Sequence, residues 1–413
     1  MRNETGSATA KAEQSTSKLS NMWTMTVLGV LLAFASISTD LYLPAMPSMV
    51  VALHASQDTL QYSVSGYLVG FALGQLFWGP IGDRFGRRIP VAIGLVLFMI
   101  GSAGCALSTD GFELITSRLI QAVGACASVV LARAMVRDLY ERDQAAKVLS
   151  TLMTIMAVAP LLGPSVGGLI LRLGSWQTIF WFLVGIGLLT LIALFTVPET
   201  LSENRRNTQS MAGAFAAYAS LLRDRRLIGY AGAVGFFYSG VFANISSSSF
   251  AYIDYHHLSP QLYGIVFAVG TVGLMTANFV NSRLLTRMGS DRMLRFGGVG
   301  ATIAGALLAL VTGTDFGGLP AMAICLWLFT AMNGFVTANA ISGALSGFPT
   351  RAGAVSALVG SIQYGSGVIG SATAGAMANG TPWPMGWVIA ISGLGCLLSV
   401  TLILPSPSGA PAK

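Results

Sequence analysis

Two ionisable residues stand in stretches that are otherwise apolar. Asp40 lies in Ser38-Thr39-Asp40-Leu41-Tyr42-Leu43-Pro44-Ala45-Met46-Pro47, and Arg118 in Glu113-Leu114-Ile115-Thr116-Ser117-Arg118-Leu119-Ile120-Gln121. A carboxylate buried without a charge partner favours its protonated form, so it can take up and release a proton near neutral pH. An arginine inside an apolar helix is costly unless it faces a cavity or an acid. Arg118 and Gln121, three residues apart, share one helix face. Two plainer readings stay open: Asp40 could be merely interfacial, and Arg118 could belong to a structural ion pair.

Other motifs govern packing and turns. In Gly79-Pro80-Ile81-Gly82-Asp83-Arg84-Phe85-Gly86-Arg87-Arg88 the glycines permit tight packing and a turn, and Asp83 can pair with a helix terminus or a neighbouring base. Pro160, Gly163, Pro164, Gly167 and Gly168 cluster in one apolar run. Its prolines bend a helix, and Gly163 with Gly167 forms a GxxxG face for close contact with another helix, where no ligand is expected. Besides Asp40, the candidates to line a cavity are Tyr67, Phe71, Gln121, Asn244, Tyr252 and Tyr364, although for each of these six alone packing is the better explanation.

The elements that must position these residues follow from composition. The 413 residues are 54% hydrophobic and 9% charged, against about 25% charged in a typical soluble domain. So few charges cannot build a water-facing surface, so lipid must cover most of the outside. Apolar runs of spanning length occur at 23–46, 59–80, 89–108, 112–136, 147–171, 176–197, 227–251, 261–281, 293–313, 318–342, 352–377 and 385–405. The fold class is therefore an all-α polytopic membrane protein of twelve transmembrane helices, because only a helix satisfies its own backbone groups in hydrocarbon. With the N-terminus inside, 21 of the 23 Lys and Arg fall on the cytoplasmic side, leaving only Arg172 in an external loop and Arg118 within a span. That asymmetry places both termini in the cytoplasm. Asp40 and Arg118 then lie level, each about 10 Å below the outer helix ends at 1.5 Å per residue.

The charged stretch between spans six and seven divides the chain. The expected organisation is a tail at 1–22, a six-helix bundle at 23–198, a linker at 199–226, a second bundle at 227–405 and a tail at 406–413. Within the linker, Met211 to Leu222 is expected to form a short amphipathic helix on the inner membrane surface. The halves echo each other: Asp83-Arg84-Phe85-Gly86 follows the second span and Thr286-Arg287-Met288-Gly289 the eighth. Duplicated halves are a transporter plan with the site between them near the midplane.

The Gly79–Arg88 loop, the Arg118-x-x-Gln121-x-x-Gly124 pattern and the Pro160–Gly168 run resemble hallmark motifs of the major facilitator superfamily. Arg137-Asp138-Leu139-Tyr140, Ser175-Trp176, Phe180-Trp181, Pro198-Glu199-Thr200-Leu201, Tyr252-Ile253-Asp254-Tyr255 and Phe348-Pro349 with Ala352-Gly353 narrow the resemblance to its Bcr/CflA drug-resistance subfamily. The resemblance implies the major facilitator fold, proton antiport through Asp40 and Arg118, an inner gate locked by Asp83 and Arg84, and export marked by the proline–glycine run. It also implies residence in a bacterial cytoplasmic membrane. Two departures stand out. Leu32 and Ala33 occupy positions where some relatives carry a second acid, and Thr286 replaces the acid in the second copy of the loop.

The expected function is a proton-coupled antiporter exporting small amphipathic drugs or toxic compounds. The alternatives are an exporter of an endogenous metabolite such as an amino-acid derivative and, more remotely, a non-transporting receptor. No catalytic triad, phosphate loop or metal-ligand spacing is present, so no enzyme activity and no cofactor beyond the coupling proton is expected. The three histidines fall in external loops and the four cysteines inside apolar runs. The expected partners are a small-molecule substrate and the bilayer, with no nucleic acid, and the chain is expected to be monomeric.

Overall fold

The computed structural model describes residues 3–206, 211–348 and 351–403. Among these residues helix is the only regular structure. The helices are α1 (Asn3–Asp40), α2 (Met46–Ala52), α3 (Gln57–Phe85), α4 (Arg88–Leu107), α5 (Gly111–Leu139), α6 (Arg142–Leu173), α7 (Trp176–Leu194), α8 (Met211–Leu221), α9 (Arg225–Ser249), α10 (Pro260–Met288), α11 (Ser290–Thr314), α12 (Gly318–Ala331), α13 (Asn333–Ser346), α14 (Ala352–Ala376) and α15 (Trp383–Leu398). Eleven segments of the described residues are long and apolar enough to cross a membrane, and α6 supplies the fifth of the twelve expected spans. Large apolar side chains such as Leu189, Ile303 and Leu310 remain exposed on the outer faces, where lipid is the natural solvent.

Four spans differ from uninterrupted α-helices, the twelfth by ending in a π segment, Ser399–Ile403. The first stops at Asp40 and resumes at Met46 through a 3₁₀ turn, Leu43–Ala45. Pro44 and Pro47 have no N–H to offer the carbonyls of Asp40 and Leu43, so the i→i+4 ladder fails there. The seventh continues past its expected end through a π segment, Phe250–Tyr255. The tenth is interrupted at Met332, where Phe335 N–H bonds back to the Met332 carbonyl in a 3₁₀ contact. At the N-terminus α1 begins at Asn3, so helix runs through the stretch expected as a polar tail. The tail at 406–413 lies outside the described residues.

The linker helix also corrects an expectation. α8 forms at Met211–Leu221, but apart from Tyr218 and Ser220 it carries no polar side chain, and it docks on the bundle. Tyr218 donates to the Leu76 carbonyl at 3.2 Å, and Phe215 meets Phe77 edge-on at 5.3 Å.

The two halves meet along α3 with α14 and along α6 with α10. Ser65 Oγ donates to Ser371 Oγ at 3.0 Å, and Gln61 supplies a carbonyl to the same Ser371. At the end of the molecule that carries His54, Gln261 Nε2 donates to the Gly168 carbonyl at 3.2 Å. A Cβ on Gly264 would stand 2.8 Å from the backbone of Ser165. The halves are thus closed on one another at the His54 end, over an internal cavity.

Candidate functional site

A cavity of about 720 Å³ lies between the halves, walled by α1, α3, α6, α9, α10, α12, α13 and α14. Its lining is aromatic: Tyr67 from α3, Tyr238 and Phe242 from α9, Phe267 from α10, Trp327 from α12 and Tyr364 from α14, with Tyr252 from the π segment. Asp40 is the single charged residue on its wall and is 4% exposed. Among the described residues Asp40 has no ion-pair partner. It sits where α1 ends, so the proline break places the carboxylate at the cavity wall.

Of the seven residues expected to line the cavity, Asp40, Tyr67, Asn244, Tyr252 and Tyr364 do. Phe71 lies one layer behind, fully buried, its ring centre 4.3 Å from that of Tyr364 in a tilted contact and stacked 6.1 Å from that of Tyr67. It thus joins aromatics of the two halves without lining the space. Gln121 is turned away into the first half. Its Oε1 accepts from Arg118 Nη1, and its Nε2 donates to Ser102 Oγ at 2.8 Å on α4. The shared face of Arg118 and Gln121 was legible in the spacing, and it is why Gln121 is used up by Arg118. Asn244 Oδ1 is buried with no hydrogen-bond partner, leaving an acceptor beside the cavity.

Arg118 and Asp40 are level but do not pair. The fully buried guanidinium donates through Nη1 to the Ser38 carbonyl at 2.8 Å, two residues before Asp40. It lies 4.2 Å from the Tyr42 ring centre and 4.5 Å from that of Tyr67. Each such contact is worth up to about 2 kcal/mol when desolvated, so the rings take the place of a counter-ion. Nε and Nη2 have no partner. The Tyr67 hydroxyl closes the connection to the cavity by hydrogen bonding Ser38 Oγ at 2.6 Å. Arg118 therefore touches the carboxylate's helix through backbone and Tyr67, not through an ion pair.

The proline–glycine run braces the same break. A Cβ on Gly163 would stand 2.9 Å from Asp40 Cβ, one on Gly167 would collide with the Leu41 carbonyl, and one on Gly168 would reach 3.0 Å from the Pro260 carbonyl of α10. α6 thus touches both the end of α1 and the other half. Pro164 is buried in that contact, and Pro160 lines the cavity.

At the other end the Asp83 loop forms a charge network. Arg87 bonds Asp83 through Nη1 at 2.7 Å and Asp138 of α5 through Nε at 2.8 Å. Glu199, just beyond α7, accepts from the backbone N–H of Arg87, Arg88, Thr200 and Leu201 at 2.9–3.0 Å. Burial raises its pKa, but those four donors outweigh it and hold the carboxyl below the usual range. Burial likewise opposes the charge of Arg87, and its two carboxylates overcome that and raise its pKa. Gly86 carries φ of +88°, and a Cβ there would lie 2.8 Å from the Glu199 carboxylate. Glycine is required on both counts. Arg88 lies over the Phe195 ring at 4.9 Å. Arg84 is exposed against Phe85, and it is Arg87 that pairs with Asp83. Gly79 leaves open space and faces a second cavity at this end. Asp138 and Glu199 had no visible partner in the sequence, because Arg87 lies 51 and about 110 residues from them.

Twelve spans around an aromatic cavity between two similar halves, with one carboxylate on its wall, define a multi-pass helical membrane transporter. The chain belongs to the Major Facilitator Superfamily, whose family model matches residues 28–371. It is 35% identical over 369 residues to the uncharacterized MFS-type transporter YdgK of Bacillus subtilis, covering 89% of this chain and 91% of that protein. It is 31% identical to a bicyclomycin resistance protein homolog of Haemophilus influenzae, covering 87% and 90%. It is also 31% identical to a chloramphenicol resistance protein of Pseudomonas aeruginosa, covering 85% and 83%. These relatives support the drug-resistance branch indicated by the motifs. The fold matches the partially occluded inward-open xylose transporter XylE of E. coli with a TM-score of 0.74 at 17% identity, covering 95% of this chain and 99% of that one. A nucleoside transporter, NupG, matches with a TM-score of 0.75 at 13% identity, covering 92% and 100%.

Proposed function

We propose that the protein is a proton-coupled antiporter that exports small amphipathic compounds from the cytoplasm. The observation that carries this reading is Asp40, the one charged group on the wall of an aromatic cavity, buried at a helix break without an ion-pair partner. Aromatic walls accept flat apolar bodies of varied shape, and the unpaired Asn244 acceptor offers one hydrogen bond. Relatives named for resistance to bicyclomycin and chloramphenicol support drugs as the cargo.

In this reading Asp40 takes a proton from outside when the cavity faces outward and releases it when the cavity faces inward. Gain or loss of the Asp40 charge changes the field at Arg118, which holds the adjoining turn through the Ser38 carbonyl and the Tyr67 ring. The bundles at 23–198 and 227–405 would rock about the linker at 199–226, with the Arg87 network holding the inner end. The protein would sit in a bacterial cytoplasmic membrane with both termini inside, and act as a monomer.

Proteoliposomes with the pH gradient and the membrane potential imposed separately test this. One proton per cycle predicts that export of a monovalent cationic drug follows the pH gradient alone, since no net charge moves. Export of a neutral drug should also respond to potential, by about 2.3 kcal/mol per charge per 100 mV. Strong potential-driven export of a monovalent cation would require a second proton site, and no response to either force would remove proton coupling.

A further inference from the structure

A second cavity, of about 710 Å³, opens at the Asp83 end where α3, α5, the linker helix α8 and α14 converge. Its charged lining is unequal. Asp83 faces it, but that carboxylate is held by Arg87, which also donates through Nε to Asp138. Arg133 and Arg137 of α5 and Arg351 of the second half also face the space, and among the described residues none of the three has an ion-pair partner. Arg133 Nε is buried with no hydrogen bond. Arg133 and Arg137 are four apart, a like-charge spacing that weakens a helix.

The wall opposite adds donors. α14 begins at Ala352, and Gly353 and Ala354 of its first turn line the cavity. Its N-cap is Arg351, which offers no side-chain acceptor, and the first turn contains no acid. The first turn of a 25-residue helix therefore borders the same space as three guanidinium groups that have no ion-pair partner among the described residues, and the positive end of its dipole adds to theirs. Gln75 of α3, 5% exposed, also faces it and has no hydrogen-bond partner among the described residues.

We propose that this vestibule is a binding site for a phosphate-type oxyanion, held by Arg133, Arg137, Arg351 and the start of α14. A multivalent tetrahedral anion matches several guanidinium forks and an open helix N-terminus together. Because the donors come from both halves and border α8, whose Ser220 already accepts from Arg351 at 3.4 Å, the bound anion ties the halves and linker together at this end. The phosphate group can belong to a lipid headgroup or to a free solute.

The test uses the full chain purified in neutral detergent. Pyrophosphate, titrated at constant ionic strength against chloride, should raise the unfolding temperature saturably. In parallel, protein reconstituted in phosphatidylethanolamine vesicles with or without phosphatidylglycerol is re-extracted and its retained lipid counted by native mass spectrometry. Saturation by pyrophosphate alone assigns the site to a soluble phosphate, and selective retention of phosphatidylglycerol assigns it to a headgroup. Either response should fall at least tenfold in affinity in an Arg133→Gln/Arg351→Gln variant and persist in Arg133→Lys/Arg351→Lys, which keeps both charges. If neither probe binds above the chloride and phosphatidylethanolamine controls, or if the glutamine variant binds as the native chain does, the proposal is wrong. The exposed Arg137→Gln variant should show a smaller loss, and supplies the same comparison if the double variant does not fold.

Discussion

The two halves share a helix plan and differ in charge. In the first half three ionic residues are buried, Asp40, Arg87 and Arg118, and among the described residues the second half buries none. The corresponding turns show the contrast at one point. Gly86 and Gly289 both take positive φ, +88° and +79°. Around Gly86 the partners are Asp83, Arg87, Asp138 and Glu199. Near Gly289 no ion pair forms among the described residues: Ser290 Oγ donates to Asn339 Oδ1 at 3.1 Å, Asn339 Nδ2 donates to Asn281 Oδ1 at 2.8 Å, and the Asp291 carboxylate accepts from the neutral Tyr230 hydroxyl at 2.6 Å. The second half instead supplies most of the aromatic cavity wall. One half holds the buried ions and the other holds most of the aromatic cavity wall, so substitutions in the two should fail differently.

The largest expected effect is on Arg118. Arg118→Lys keeps the charge but loses the planar fork that meets the Ser38 carbonyl, Gln121 and two rings at once. Drug-resistance assays should show a loss of at least tenfold, while Trp327→Ala in the second half should change the range of drugs exported. Near-normal efflux by Arg118→Lys would break the contrast.

Next comes Arg87→Ala, which leaves Asp138 inside without its partner and should cost about 3 kcal/mol in denaturant unfolding in mild detergent. The matching cut in the second half, Asn339→Ala, removes neutral bonds only and should cost about 1 kcal/mol. Equal costs would mean that the charges add nothing to the clamp. Packing gives a third comparison. Gly167→Ala drives a methyl into the Leu41 carbonyl and should destabilise by about 2 kcal/mol, whereas Gly270→Ala meets open space and should stabilise α10 by up to about 1 kcal/mol.

The smallest effect is a pH dependence. Glu199 has a depressed folded pKa, so its contribution is present above its ordinary value of 4.5 and fades as pH falls below that value through the folded one. Unfolding temperature should drop more steeply with acid in the native chain than in Glu199→Gln. Parallel curves would show that the four backbone donors do not hold the charge.

Much of this was legible in the sequence because lipid imposes simple rules. The spans, the six-plus-six division and the common level of Asp40 and Arg118 follow from run length and rise per residue. The break at Asp40 was also written there, in the proline four residues on. What could not be read is which face of an all-apolar helix meets cavity and which meets lipid. Tyr238, Phe242, Phe267 and Trp327 therefore gave no signal. Nor could depth reveal that Arg118 would meet two tyrosine rings, the Ser38 carbonyl and Gln121 in place of Asp40. Asp138 and Glu199 stood in recognisable motifs, but their shared partner Arg87 is brought to them only by the packing of α3, α4, α5 and the end of α7.

The most direct test of the account uses Asp40→Asn in proteoliposomes with the membrane potential clamped at zero. An amide cannot exchange a proton, so this variant should still exchange drug for drug down a concentration gradient but should not accumulate drug in response to a pH gradient. Accumulation at the native rate would show that another residue carries the proton and would contradict the assignment of coupling to Asp40.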